Sequence, residues 1–361
     1  MATMTPVRRD PPPEVRDRPR PVGARTLDDR LALFGSAAGS GTLTWICFDR
    51  LLPFSGAVGF LVCWYLGFLV LYGVVTAMAH PRPALVDRLV AAIVHGGAAV
   101  VFGAVITTIC YVLWKGHYAL FHVNFVTHDM KGVSPTAPLT EGGVLHAITG
   151  TLIEIGIAVL IALPLGVGTA VFISEVGGRF ARLVRTVVEA MTALPDILAG
   201  LFIYTSLIAF FHFPVSGFAA GLALSIMGLP IIARSSEVVL RVVPGGLREA
   251  SLALGASRWS TVRKVVLPTA RAGLATSLIL GIARMVGETA PVYLTSSAST
   301  FFSANPYGPM NSLPLYIFSA FVTGQRQDSA RLWGAASVLL LVVLILFITA
   351  RVLASSRASR S

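Results

Sequence analysis

Residues 51–79 carry no charged side chain, residues 89–114 carry none but His95, and residues 332–350 again carry none. Each run, wound as a helix, is long enough to cross a hydrocarbon core of roughly 30 Å. Lipid offers the backbone no hydrogen-bond partners, so segments of this kind must satisfy every N–H and C=O internally. The chain therefore folds as an all-α, polytopic membrane helix bundle. Its composition agrees, with 55% hydrophobic and only 12% charged residues. That balance excludes the ordinary soluble classes.

Apolar spans are expected at about 53–79, 87–114, 144–174, 187–211, 215–240, 269–297 and 331–352. A Gly- and Ser-rich stretch, 31–48, is an eighth candidate that hydropathy alone does not decide. Charge does. With eight spans, 22 of the 28 Lys and Arg residues fall on one side and five on the other, with Arg284 inside a span. Seven spans would move the arginine-rich segment 1–30 across the membrane, against the positive-inside tendency. The expectation is eight transmembrane helices with both termini cytoplasmic. The net charge of +11 lies in the breaks between spans, forms no continuous basic stripe, and does not point to nucleic acid. Residues 1–30 read as a disordered basic tail and 354–361 as a second cytoplasmic tail. The segments 115–143 and 298–330 read as outer loops, placed either to meet an external delivery protein or simply to connect spans. Cys47, Cys63 and Cys110 have no ligand or disulfide spacing, and His117, His122, His128 and His146 are too irregular for a metal site. No cofactor is implied.

One polar interruption is informative. In the loop 244–268, Pro244-Gly245-Gly246 ends a span and a new helical stretch starts at Leu247. Gly255 permits the positive φ that ends a first short helix, and Pro268 suits the first turn of the next span. Two short helices hinged at Gly255 form a shape that can lie in a partner's groove. A plain amphipathic interfacial helix is the simpler alternative. No Gly-Lys dipeptide occurs anywhere, so a phosphate-cradling Walker loop is absent and this chain is not itself the ATPase.

Charges inside spans are costly and mark pathways or interhelical pairs. Arg284 and Glu288 stand at i, i+4 and share a face; Arg234 and Glu237 stand at i, i+3 on the preceding span. A guanidinium fork suits a tetrahedral oxyanion, so the two pairs suggest an anion route. Structural glue between helices is the competing account. Glu154 and Asp196 are placed to border the same cavity, although solvation at a Pro-bent helix end explains Asp196 more simply.

The loop reads Glu249-Ala250-Ser251, three residues, Gly255, nine residues, then Val265-Val266-Leu267-Pro268. This resembles the cytoplasmic coupling loop of ABC-importer permeases. Thr140-Glu141-Gly142-Gly143, Thr149-Gly150-Thr151, Pro164-Leu165-Gly166, Leu194-Pro195, Gly200 to Tyr204, Leu229-Pro230 and Ala283-Arg284 through Gly287-Glu288-Thr289-Ala290-Pro291 follow in order. Together they make residues 140–353 similar to the PstA-type permeases of bacterial phosphate importers. The resemblance implies the MetI-like, type I importer fold and a permease domain at 144–353. It also implies a location in the bacterial inner membrane, among its lipids. The expected partners are a related permease completing a heterodimer, a dimer of ATP-binding subunits and an external phosphate-binding protein. Arg284 and Glu288 become the leading pathway residues for phosphate, with Arg234 and Glu237 beside them. Glu249, Ala250, Gly255, Leu267 and Pro268 become the contact with the ATPase. Residues 31–114, a first core helix preceded by an extension, depart from the family pattern. Carriage of another oxyanion such as sulfate or molybdate, and a gradient-driven secondary carrier, remain the alternatives.

Overall fold

The computed structural model describes residues 27–51, 56–134, 137–323 and 328–356. Among them every regular element is a helix. Most of the two expected tails lies outside the described residues, but Leu27 to Arg30 already belong to the first helix. The chain divides into two compact units, residues 1–106 and 107–361.

The first unit is built from α1 (Leu27–Ile46), α2 (Ala57–Ala79) and the front of α3 (Arg82–Leu120). In α1 the buried residues are Ser36, Ser40 and Thr44, a small-residue stripe at four-residue spacing that lets α2 approach closely. Trp64 Nε1 donates to Ala37 O at 2.9 Å, and Tyr65 Oη lies 3.2 Å from Ala92 O. At the polar end Arg88 pairs with Asp29 at 2.6 Å.

The second unit adds α4 (Val123–Thr127), α5 (Leu145–Val171), α6 (Gly178–Thr192), α7 (Asp196–Ile203) and α8 (Gly217–Val242). The short α9 (Gly245–Ala253) and α10 (Arg258–Thr261) follow, then α11 (Leu267–Val286), α12 (Ala290–Thr295), α13 (Leu313–Thr323) and α14 (Asp328–Ser356). The helix α8 is its axis, with fifteen buried residues, most of them Gly, Ala or Ser. Ala220 and Leu224 of α8 meet Ala158 of α5 and Met285 of α11 in one apolar cluster.

Among the described residues six helices are long and apolar enough to cross a membrane, or seven if one bent pair counts as a span. Eight is reached only by adding α1. Two expected spans are broken. The stretch 187–211 is the bent pair: α6 and the helix after it meet at 101° across Leu194-Pro195. The reason lies in α6, whose Ala181 and Val188 are buried while Arg179 and Arg182 are exposed, so it is amphipathic and not apolar all round. The stretch 269–297 ends as a helix at Val286, and α12 restarts only at Ala290 with Pro291 in its first turn. Helix α3, in contrast, runs to Leu120, so residues 115–120 and α4 are helical where a loop was expected.

The segment that leads into α5 is held by two side chains. Arg331, 1% exposed, directs Nη2 at the carbonyls of Ala137, Pro138 and Glu141 at 3.0, 2.8 and 2.9 Å. Asn124 Nδ2 reaches Leu139 O and Gly142 O, both at 2.8 Å. Nearby, the backbone N–H of Phe302 donates to Asp129 at 2.8 Å and holds that carboxyl below its usual range.

Helices α7 and α12 touch through Gly200, where an added Cβ would stand 2.5 Å from Pro291 Cα. Backbone cannot swing aside as a side chain can. Gly200→Ala is expected to cost about 1–3 kcal/mol by overpacking, read as a lower melting temperature of the purified protein in detergent.

Candidate functional site: charged clusters and the coupling loop

Both expected Arg–Glu pairs exist, and each is part of something larger. Arg284, in the last turn of α11, pairs with Glu288 at 2.5 Å as the i, i+4 spacing predicts. Its other terminal nitrogen, Nη2, donates to Asp196 Oδ2 at the first turn of α7. One guanidinium therefore bridges two carboxylates on different elements. The continuity of the span needs correcting. These residues stand where α11 ends and α7 begins, not midway along an unbroken helix. The Arg284 side chain is 48% exposed and Glu288 12%. Breaks at Pro195 and Gly287 bring the groups together, and the charges satisfy one another where the helices stop.

The second pair is more strongly altered. Arg234 Nη1 lies 2.9 Å from Glu189 of α6 and 3.7 Å from Glu237, its partner by spacing. Glu237 is 3% exposed and is held mainly by Arg185 of α6 at 2.8 Å and by Arg241 of α8 at 2.5 Å. Arg185, Glu189, Arg241 and, in the first cluster, Asp196 went unrecognised as partners in the sequence. They lie on α6 and α7, assigned there to a loop and to a span bent at Pro195, or at the end of α8. The i, i+3 and i+4 spacing of Arg179, Arg182, Arg185 and Glu189 is the signal that could have found the first two.

Glu154 lies elsewhere in the bundle. It is 1% exposed, with Oε1 3.0 Å from Ser296 Oγ, which is also 2.9 Å from Met310 O. This fixes the stretch between α12 and α13 against α5. The hydrogen bond of Glu154 is to Ser296, whereas Asp196 pairs with Arg284.

The loop 244–268 has the hinged shape its residues predict. Helix α9 stops at Ala253, Gly255 takes φ +84°, and α10 begins at Arg258 behind Ser257, which accepts from Ser260 N–H at 3.3 Å. Ser251 Oγ and Thr261 Oγ1 meet at 2.9 Å and close the hinge. A wider π turn, Val262–Val266, then joins α10 to α11, so Pro268 sits in a continuing helix where no new one starts. Leu267 packs with Leu240, Val243, Val266 and Ala270 against the end of α8.

Arg248 fastens this loop. It pairs with Glu175 at 2.8 Å and donates to two carbonyls at the end of α8, that of Val243 at 2.7 Å and that of Leu240 at 2.9 Å, which also accepts the Val243 N–H at 3.4 Å. Its neighbours face outward: Glu249 and Ala250 are exposed, as are Leu254 at 89% and Trp259 at 66%. The loop is pinned on one side and bare on the other. Among the described residues no group of three His, Cys, Asp or Glu could hold a metal ion.

Residues 162–358 match the profile of the family described as the binding-protein-dependent transport system inner membrane component. A phosphate transport system permease protein, PstA 1 of Mycobacterium tuberculosis, is 39% identical over 248 residues, covering 67% of this chain and 81% of that protein. The chain belongs to the PstA family of membrane permeases. The PstA protein of Mycobacterium leprae is likewise 39% identical, over 64% of this chain and 76% of its own length. That of Haemophilus influenzae is 34% identical over 62% and 79%. The PstA-family chain is thus a multi-pass membrane permease of the importer class, and its matched profile contains every residue of the two arginine clusters and of the coupling loop.

Proposed function

We propose that this chain is the permease subunit through which inorganic phosphate crosses the bacterial inner membrane, powered by ATP hydrolysed in a partner. The observation that carries the reading is the 39% identity to phosphate permeases over 248 residues. Arg284 and Glu288, with Arg234 and Glu237, line the pathway in this reading. Half-exposed guanidiniums already paired to carboxylates can exchange one oxyanion for another at little cost in desolvation. Arg284 supplies the fork at the break between α11 and α12. In the same reading Glu249, Ala250 and Gly255 meet the ATP-binding subunits, and Leu267 and Pro268 carry their motion into α11. A related permease completes the transmembrane path, an external phosphate-binding protein delivers the anion, and both termini face the cytoplasm. Residues 144–353 form the transport core.

The deciding experiment is uptake of labelled phosphate by the assembled importer in vesicles, challenged with arsenate, sulfate and molybdate. Competition by arsenate alone supports phosphate; strong competition by sulfate or molybdate points to another oxyanion. Uptake without ATP would indicate a gradient-driven carrier. Glu249→Lys is expected to lower phosphate-driven ATP hydrolysis about tenfold, the equivalent of one lost charged contact. Co-purification with the ATP-binding subunit reads the same defect, and intact binding and turnover would remove Glu249 from the contact.

A further inference from the structure

Glu237 is one buried carboxylate with three guanidiniums around it. Arg185 lies at 2.8 Å, Arg241 at 2.5 Å and Arg234 at 3.7 Å. The carboxylate is 3% exposed, while the arginine side chains are 34%, 57% and 51% exposed. Donors outnumber acceptors. Three guanidiniums carry roughly fifteen N–H groups, and one carboxylate accepts about four. Glu189 takes one more donor from Arg234. Three cations against two carboxylates leave this group net positive, whereas Arg284 with Asp196 and Glu288 is net negative. The buried anion thus anchors the inner edges of the forks, and their outer edges stay open with unused donors.

We propose that Arg185, Arg234 and Arg241 form a second seat for a tetrahedral oxyanion of the inorganic phosphate class, at the coupling-loop end of α8. Arg185 and Arg241 contact the anion, and Glu237 is the positioning residue that holds the forks side by side. This deepens the phosphate reading and rests on it. Arg241 lies in the last turn of α8, and Arg248 holds the carbonyls that end the same helix. Motion of the coupling loop therefore reaches the seat directly. An anionic lipid headgroup offers the same phosphate chemistry, and the experiment separates the two sources.

The complete importer is placed in nanodiscs of phosphatidylcholine, and its arginines are modified with phenylglyoxal and read by peptide mass spectrometry. Inorganic phosphate is expected to slow modification of Arg185 and Arg241 about tenfold, the effect of one charge-assisted contact. Absence of protection overturns the proposal, and so does protection that appears only when phosphatidylglycerol replaces part of the lipid. In vesicles, the double variant R185Q/R241Q is expected to lower kcat for uptake about tenfold with KM for external phosphate unchanged. R185K/R241K, which keeps charge without the fork, is expected to recover only part of it. Unchanged kcat in the glutamine variant overturns the proposal; should that variant fail to assemble, the labelling of the unaltered protein decides. If phosphate uptake depends on Arg284 while the labelling shows no protection, the seat falls and the phosphate reading stands. If the unaltered importer carries no phosphate, the reading falls first.

Discussion

Arg284→Ala is expected to reduce phosphate uptake by about a hundredfold or more while the importer still assembles. Among the described residues the guanidinium is the only cation between Asp196 and Glu288, which approach it from α7 and from the break before α12. Without it two carboxylates face each other on the proposed route of the anion, and repulsion replaces attraction. Two charge-assisted contacts of about 1.5–3 kcal/mol each correspond to about two factors of ten or more. Arg284→Lys keeps the charge but loses the planar fork that reaches both acids, so it should recover only part of the activity. The exchange variant D196R/R284D separates roles. If the pair merely ties α7 to α11, the exchange restores uptake; if the cation must meet the anion from α11, it does not. Initial rates in vesicles, with co-purification as the control for assembly, make the check. Near-normal uptake in Arg284→Ala would remove the residue from the pathway.

The second large effect is expected at Arg248, a residue whose importance comes from what it holds. Its side chain joins Glu175, at the far end of α5, to two terminal carbonyls of α8. Arg248→Ala leaves a half-buried carboxylate and the Val243 carbonyl without their donor, and Leu240 O with only the Val243 N–H. The loop 244–268 then loses its fastening to the helices that the proposed function has it move. We expect ATP hydrolysis to continue but uptake per ATP to fall about tenfold, with a lower melting temperature as the structural signature. Glu175→Gln should show part of the same defect, and the double variant should be no worse than Arg248→Ala, because the two residues share one interaction. Full coupling in Arg248→Ala would show that the loop is held by its apolar contacts through Leu267 and Val266.

How much was legible depended on whether the signal was local. The positions of α2, α5, α8 and α14 follow from long, predominantly apolar runs, each read within one segment of chain. The hinge was equally local, since Gly255 needs no distant partner to take a positive φ. The breaks were legible only in part, since a bend at Pro195 was read but not its angle. Pro164 and Pro230 sit inside continuous helices, whereas Leu194-Pro195 turns the chain by 101°. The same residue type gave opposite outcomes because packing decides whether the lost hydrogen bond bends a helix or is absorbed. Arg331 shows the same limit. Its position between two segments marks it as a solvent-facing loop charge, yet it is buried under three carbonyls that lie about 190 residues earlier in the chain.

The amino-acid order alone therefore determined a helical membrane bundle, its family, a hinged loop between α8 and α11 and the arginines worth watching. Those properties reside in hydropathy and short spacings, which neighbouring residues express wherever the chain goes. Only the tertiary structure decided which acid each arginine meets: Asp196 for Arg284, Glu189 for Arg234, Arg185 and Arg241 for Glu237, Glu175 for Arg248. Most of these partners lie dozens of residues apart, and an ion pair is chosen by distance in space, which helix packing sets.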